Sequence, residues 1–170
     1  MRKKFAPVLL ALGALCVTAS ITWAAEEENE GDVAKLMPAA KVTLQQGLKA
    51  SEAEGKPISA KFEAEDGGLQ LSVYTAKGGK FYEVVVDHTT GKVAKSEPIT
   101  EGDDLTHAKS QVAALGKAKG SLQSAVERAE HGNAGAHAVS VVPKLSNGHA
   151  VATVVLLKGT KYQTVSESLE

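Results

Sequence analysis

Cysteine and tryptophan occur once each in this chain, as Cys16 and Trp23, and both fall within its first 24 residues. The remainder can form no disulfide, so no disulfide framework substitutes for a hydrophobic core. Aromatic residues are scarce as well. Beyond residue 24 only Phe62, Tyr74, Phe81, Tyr82 and Tyr162 remain, too few for an obvious stacking platform for bases or sugars. Excess positive charge is also absent: without Arg2, Lys3 and Lys4 the 16 basic residues left of 19 face 20 acidic ones. A mildly acidic chain without a basic stripe is a poor fit to nucleic acid. Three catalytic signatures are missing too. There is no His-Glu-x-x-His, no Gly-x-Ser-x-Gly, and no glycine-rich loop ending in Lys-Ser/Thr, which removes the common zinc peptidase, the serine-hydrolase elbow and the phosphate loop.

What is present begins with an address. Arg2, Lys3 and Lys4 precede an apolar run over residues 5–24 that closes on small residues. This is the layout of a bacterial secretory signal, with cleavage expected after Ala24. The alternative is an uncleaved anchor in the inner membrane, since the run approaches spanning length. Leu15 before Cys16 does not fit a lipidation signal. Residues 25–40 read as an acidic linker, with Glu26, Glu27, Glu28, Glu30 and Asp32, followed by one short helical turn interrupted by Pro38. No stable membrane insertion is expected once the signal is removed.

Thr43-Leu44-Gln45-Gln46 is a capping-box pattern. The Thr43 hydroxyl can accept the N–H three residues on, while Gln46 reaches back. The helix that follows should end near Gly55, and Gly47 within it points to a close packing contact, since Gly costs a helix about 1 kcal/mol relative to Ala. Ile58, Ala60, Phe62 and Ala64 then alternate with polar residues, as do Leu69, Leu71 and Val73, and Tyr82, Val84 and Val86. These are three strands of a meander, joined by turns at Asp66-Gly67-Gly68 and Gly78-Gly79. The pattern predicts one wet face and one face covered by the helix. Leu105, Ala108, Val112 and Leu115 form a helical stripe in the connecting segment, residues 99–118.

Residues 119–170 answer residues 41–98. Ser121-Leu122-Gln123 matches Thr43-Leu44-Gln45, Gly159 matches Gly79, and Tyr162 matches Tyr82. An internal duplication is the expectation. The fold class predicted is α+β, a tandem repeat of a helix followed by an antiparallel three-stranded meander, packed as one compact body. The strand near Ala138 to Pro143 is out of register in this scheme, because Val139 and Val141 carry its apolar alternation.

The ending of the first unit carries a resemblance. Tyr82, Val84, Val86, Asp87, Thr90, Gly91 and Val93 form Tyr-x-Val-x-Val-Asp-x-x-Thr-Gly-x-Val, which resembles the PepSY domain. The second unit stops before its own copy of that ending is complete. The resemblance implies a small α+β unit of secreted bacterial proteins and peptidase propeptides, whose role is to bind and restrain peptidases. It carries over no catalytic residues and no cofactor.

Within the motif, Val86, Asp87, Thr90 and Gly91 read as structural: Asp87 can bond nearby backbone N–H groups and Gly91 can turn the chain. Tyr74, Tyr82 and Tyr162 are the candidate binding contacts, Tyr74 on the polar side of its strand. The rival chemistry is metal. His131, His137 and His149, with His107 nearby, crowd the second half, and histidine is a common ligand. The expectation is therefore a non-catalytic, exported, periplasmic or extracellular binding module whose partner is an envelope or secreted peptidase. The alternative is a small-ligand or metal sensor built on those histidines.

Overall fold

The computed structural model describes residues 32–170. The expected signal segment and most of the acidic linker lie outside the described residues. Residues 32–36 are helical and pass into a single 3-10 turn at Met37–Ala39 that contains Pro38, as the sequence predicts. Three longer helices follow: α1 (Leu44–Ala50), α2 (Gly102–Leu115) and α3 (Leu122–Gly132). The strands are β1 (Lys56–Glu65), β2 (Gly68–Lys77), β3 (Lys80–Val86), β4 (Val93–Ile99), β5 (His137–Ser146), β6 (His149–Lys158) and β7 (Lys161–Ser168). Among the described residues no helix is long and apolar enough to cross a membrane.

The local signals act as their chemistry requires. Thr43 Oγ1 accepts the Gln46 N–H at 3.2 Å and Gln46 Oε1 accepts the Thr43 N–H at 2.8 Å, closing the capping box of α1. Ser121 and Ser124 make the equivalent box on α3. Leu122, Ala125, Val126 and Ala129 bury one stripe of α3. Asp66 and Gly67, and likewise Asn147 and Gly148, take positive φ between paired strands, the conformation that a two-residue hairpin turn demands.

The architecture corrects the expected tandem repeat. All seven strands form one antiparallel sheet in the order β4-β3-β2-β1-β5-β6-β7, with helices on it, rather than two helix-plus-three-strand units. The join is the pairing of β1 with β5, Ala60 opposite Val141 and Lys61 opposite Ser140. Two separate meanders would each leave an unpaired strand edge at this point; pairing the edges satisfies their N–H and C=O groups. The first half also contributes four strands, because the segment after the Asp87–Gly91 turn pairs with β3 as β4.

A β-bulge between Ala138 and Ser140 explains the register anomaly: the extra residue lets both Ala138 and Val139 be buried. One sheet face carries Ala60, Phe62, Leu71, Val73, Val84, Val86, Val141 and Val154, all buried. Helix α1 packs there, Gly47 lying directly over Leu71, and α3 contacts α1 and strands β5, β6 and β7. The opposite face is not simply wet, as the alternation predicts. Helix α2 crosses it, contacting β5, β1, β6 and β2, and Ser59 is buried beneath it. On α2 the inward residues are Ala108, Ala114 and Leu115, while Val112 from the expected stripe is 38% exposed.

Candidate functional site

The residues singled out from sequence do not converge on one place. Tyr74 is opposite Glu83 and Ser59, whereas Tyr82 is opposite Thr75 and Pro98, which puts the two rings on opposite faces of the sheet. Tyr162 lies on edge strand β7, opposite Leu157. The histidines are separated by the hairpin that carries them. His137 opens β5, and His149 is opposite Ser146 at the far end of that strand. Nine strand steps of about 3.3 Å place the two about 30 Å apart. His131 is at the C-terminal end of α3, and His149 Nδ1 is 2.8 Å from Glu170 Oε2. Among the described residues no three His, Cys, Asp or Glu side chains are grouped to hold a metal ion. For His137 and His149 nearness in sequence did not become nearness in space, because the whole length of strand β5 lies between them.

The Asp87–Gly91 motif is a structural clasp. Asp87 Oδ1 accepts the Thr89 N–H at 2.9 Å, the Thr90 N–H at 2.7 Å and the Thr90 hydroxyl at 3.0 Å. These bonds to Thr90 and Thr89 hold the Asp87 carboxyl below its ordinary value. Gly91, at φ 72°, donates to Asp87 O at 2.8 Å and turns the chain into β4. The outward carbonyl of His88 accepts the N–H groups of Lys41 and Val42 at 2.9 and 3.0 Å. The turn thereby pins the segment leading into α1, and Val86 beside it is fully buried.

Polar chemistry gathers instead in the groove between α2 and the sheet, a cavity of about 360 Å³. Ser59, Lys61 and Tyr74 come up from the sheet, Asp104, His107 and Gln111 descend from α2, and Lys144 stands at the β5 side. The placement follows from strand alternation: Ser59 and Lys61 on β1 share a face with Ser72 and Tyr74 on β2. Ser59 Oγ donates to Gln111 Oε1 at 2.9 Å, tying helix to sheet. Lys61 is ion-paired with Glu63, and its ammonium is 5.8 Å from the Tyr74 ring centre. Burial works against the Lys61 charge, but Glu63 and Tyr74 outweigh it and leave the ammonium above its ordinary value. Burial pushes the Tyr74 hydroxyl up to about 12, partly opposed by Lys61 and reinforced by Glu83, Glu63 and Asp104.

Beside the groove, buried Ser72 donates toward Glu63 Oε1 at 2.6 Å and Glu83 Oε1 at 2.9 Å, and accepts from Gln70 Nε2 at 2.9 Å. The hydroxyl has one proton to give, so the two carboxylates share it. This row crosses β1, β2 and β3 and braces the floor on which Tyr74 stands. The groove thus offers a neutral phenol, an aromatic face and a fixed ammonium to whatever enters. Tyr74 was visible in sequence as a tyrosine on a polar strand face. Lys61, Glu63, Ser72 and Glu83 were not, because alternation alone reads them as a solvated face until α2 is laid across it.

A second cleft of about 440 Å³ opens between residues 34–44 and the sheet end. Phe62, Leu157 and Leu44 line it, with Glu130 and His137 at the side. Glu130 is already committed there, accepting from Gln45 Nε2 at 2.6 Å and the Ala138 N–H at 2.8 Å.

No family model and no curated protein matches this chain. Among solved structures, one described as a candidate lipoprotein from Clostridium difficile 630 is 12% identical, with 72% of this chain and 80% of that chain covered, at a TM-score of 0.42. A likeness of that size carries no argument about function.

Proposed function

We propose that the chain is an exported, non-catalytic binding module of the bacterial cell envelope, PepSY-like in its first half. In this reading it restrains a peptidase by holding a segment of it in the groove under α2. The observation that carries the reading is Tyr74: a half-buried tyrosine, braced by the Glu63–Ser72–Glu83 row and flanked by Lys61, facing an open groove. A rigid tyrosine beside a fixed cation gives contact area and hydrogen bonding at small entropic cost. The groove supports binding more readily than the scattered histidines support a sensor.

Immobilised protein exposed to bacterial envelope extract tests the reading. A retained peptidase with reduced activity is expected, with retention lost in Tyr74→Ala and reduced in the exposed rim variant Lys144→Glu. Circular dichroism establishes that both variants fold. Retention of no peptidase, retention of a fully active one, or equal retention by both variants refutes the proposal.

A further inference from the structure

The open sheet ends in two edges that differ in kind. Strand β4 is guarded: Pro98 removes an edge donor, Lys95 and Glu97 are exposed and ion-paired, and the strand is exposed on both faces up to Pro98. Strand β7 has no proline, and its stretch Gln163 to Ser166 is uncharged. Leu169 donates inward to Ala150 O at 2.9 Å. Antiparallel alternation then turns the N–H and C=O groups of Thr164 and Ser166 outward, where among the described residues they meet no backbone partner. Arg128 Nη2 donates to Ser168 O at 2.6 Å and closes the far end of this open stretch.

From these features we infer that β7 is a self-association edge, pairing antiparallel with β7 of a second copy so that the two sheets become one. A two-fold axis at Thr164 sets Thr164 opposite itself, Gln163 opposite Val165, and Lys161 opposite Glu167 of the other copy, twice over. The charges select this register. An axis at Val165 sets Lys161 opposite Leu169, and one at Gln163 sets it opposite Val165, each losing the match. Glu167 is held in place for the contact by Arg128 Nε at 3.0 Å, and the axis puts α3 of both copies on one side of the joined sheet. This edge is separate from the groove under α2 and does not depend on what that groove binds.

Sedimentation equilibrium of the full chain tests the pairing. A dimer is expected, with its dissociation constant raised at least about tenfold by Thr164→Pro or Ser166→Pro, substitutions that remove an outward N–H and no ladder bond. Lys161→Glu and Glu167→Lys should each weaken self-association, and mixing the two variants should restore a dimer containing one of each. That mixing experiment decides the matter even if a proline variant fails to fold. A monomeric wild type, self-association indifferent to both proline variants, or failure of the mixed pair to associate overturns the inference.

Discussion

Gly47 sits in the middle of α1, where its only local effect should be to weaken the helix by about 1 kcal/mol relative to Ala. The packing reverses that expectation. A Cβ at residue 47 would lie 2.6 Å from Leu71 Cδ2 and 3.1 Å from Leu71 Cγ. Leu71 has nowhere to retreat, being fully buried between its strand neighbours Phe62 and Val86. Overpacking of this kind costs about 1–3 kcal/mol. Set against the helix gain, Gly47→Ala is predicted to destabilise the protein by about 1 kcal/mol, lowering Tm by about 3 °C. The clash also predicts a change of sign. In a Leu71→Ala background, itself costing about 2–5 kcal/mol, the space is open and Gly47→Ala should stabilise by about 1 kcal/mol. Urea denaturation of the four proteins measures the cycle, with an expected coupling of about 2 kcal/mol. If Gly47→Ala stabilises the wild-type chain, or if the two changes add within about 0.5 kcal/mol, the close approach of α1 to β2 is wrong.

Two further predictions concern titration. Asp87 is held below its ordinary value in the folded chain, so its contribution to stability is present above the unfolded carboxylate range and lost as pH falls through the folded value. Denaturation midpoints measured from pH 5 down to about pH 2 should fall less steeply in Asp87→Asn; an unchanged slope refutes the clasp. The Tyr74 hydroxyl, pushed up to about 12, binds its proton more tightly folded than unfolded, so its contribution is present below the ordinary tyrosine value and fades as pH rises toward 12. Ultraviolet titration should show a late-ionising tyrosine that disappears in Tyr74→Phe, and the lack of any such late step in the wild type would place Tyr74 outside the groove.

Much of the local structure was legible in the chain. The Thr43–Gln46 box, the turn at Asp66-Gly67, and the core alternation Ala60, Phe62, Leu71, Val73, Val84, Val86 all appear where pattern and turn chemistry place them. The Asp87–Gly91 stretch was also readable as a turn, though not its second task of holding Lys41 and Val42 through His88 O. The candidate site was only partly legible: Tyr74 stood out, its supporting row did not. Two members of the expected α2 stripe, Ala108 and Leu115, are buried, but the third inward residue is Ala114 rather than Val112, a small side chain that a stripe of large apolar residues does not reveal.

By itself the sequence determined the things that depend on neighbours within a few residues: where helices start, where hairpins turn, and which side of each strand is apolar. The tertiary structure alone decided three others. It paired β1 with β5, so that a chain expected to make two units made one sheet. It laid α2 on the polar face, making Ser59, Lys61 and Tyr74 of an apparently solvated surface the floor of a groove. And it set His137 and His149 at opposite ends of one hairpin. The first two are contacts between residues distant along the chain, governed by satisfying strand edges and burying helix faces, and neither demand is written in the spacing of nearby residues.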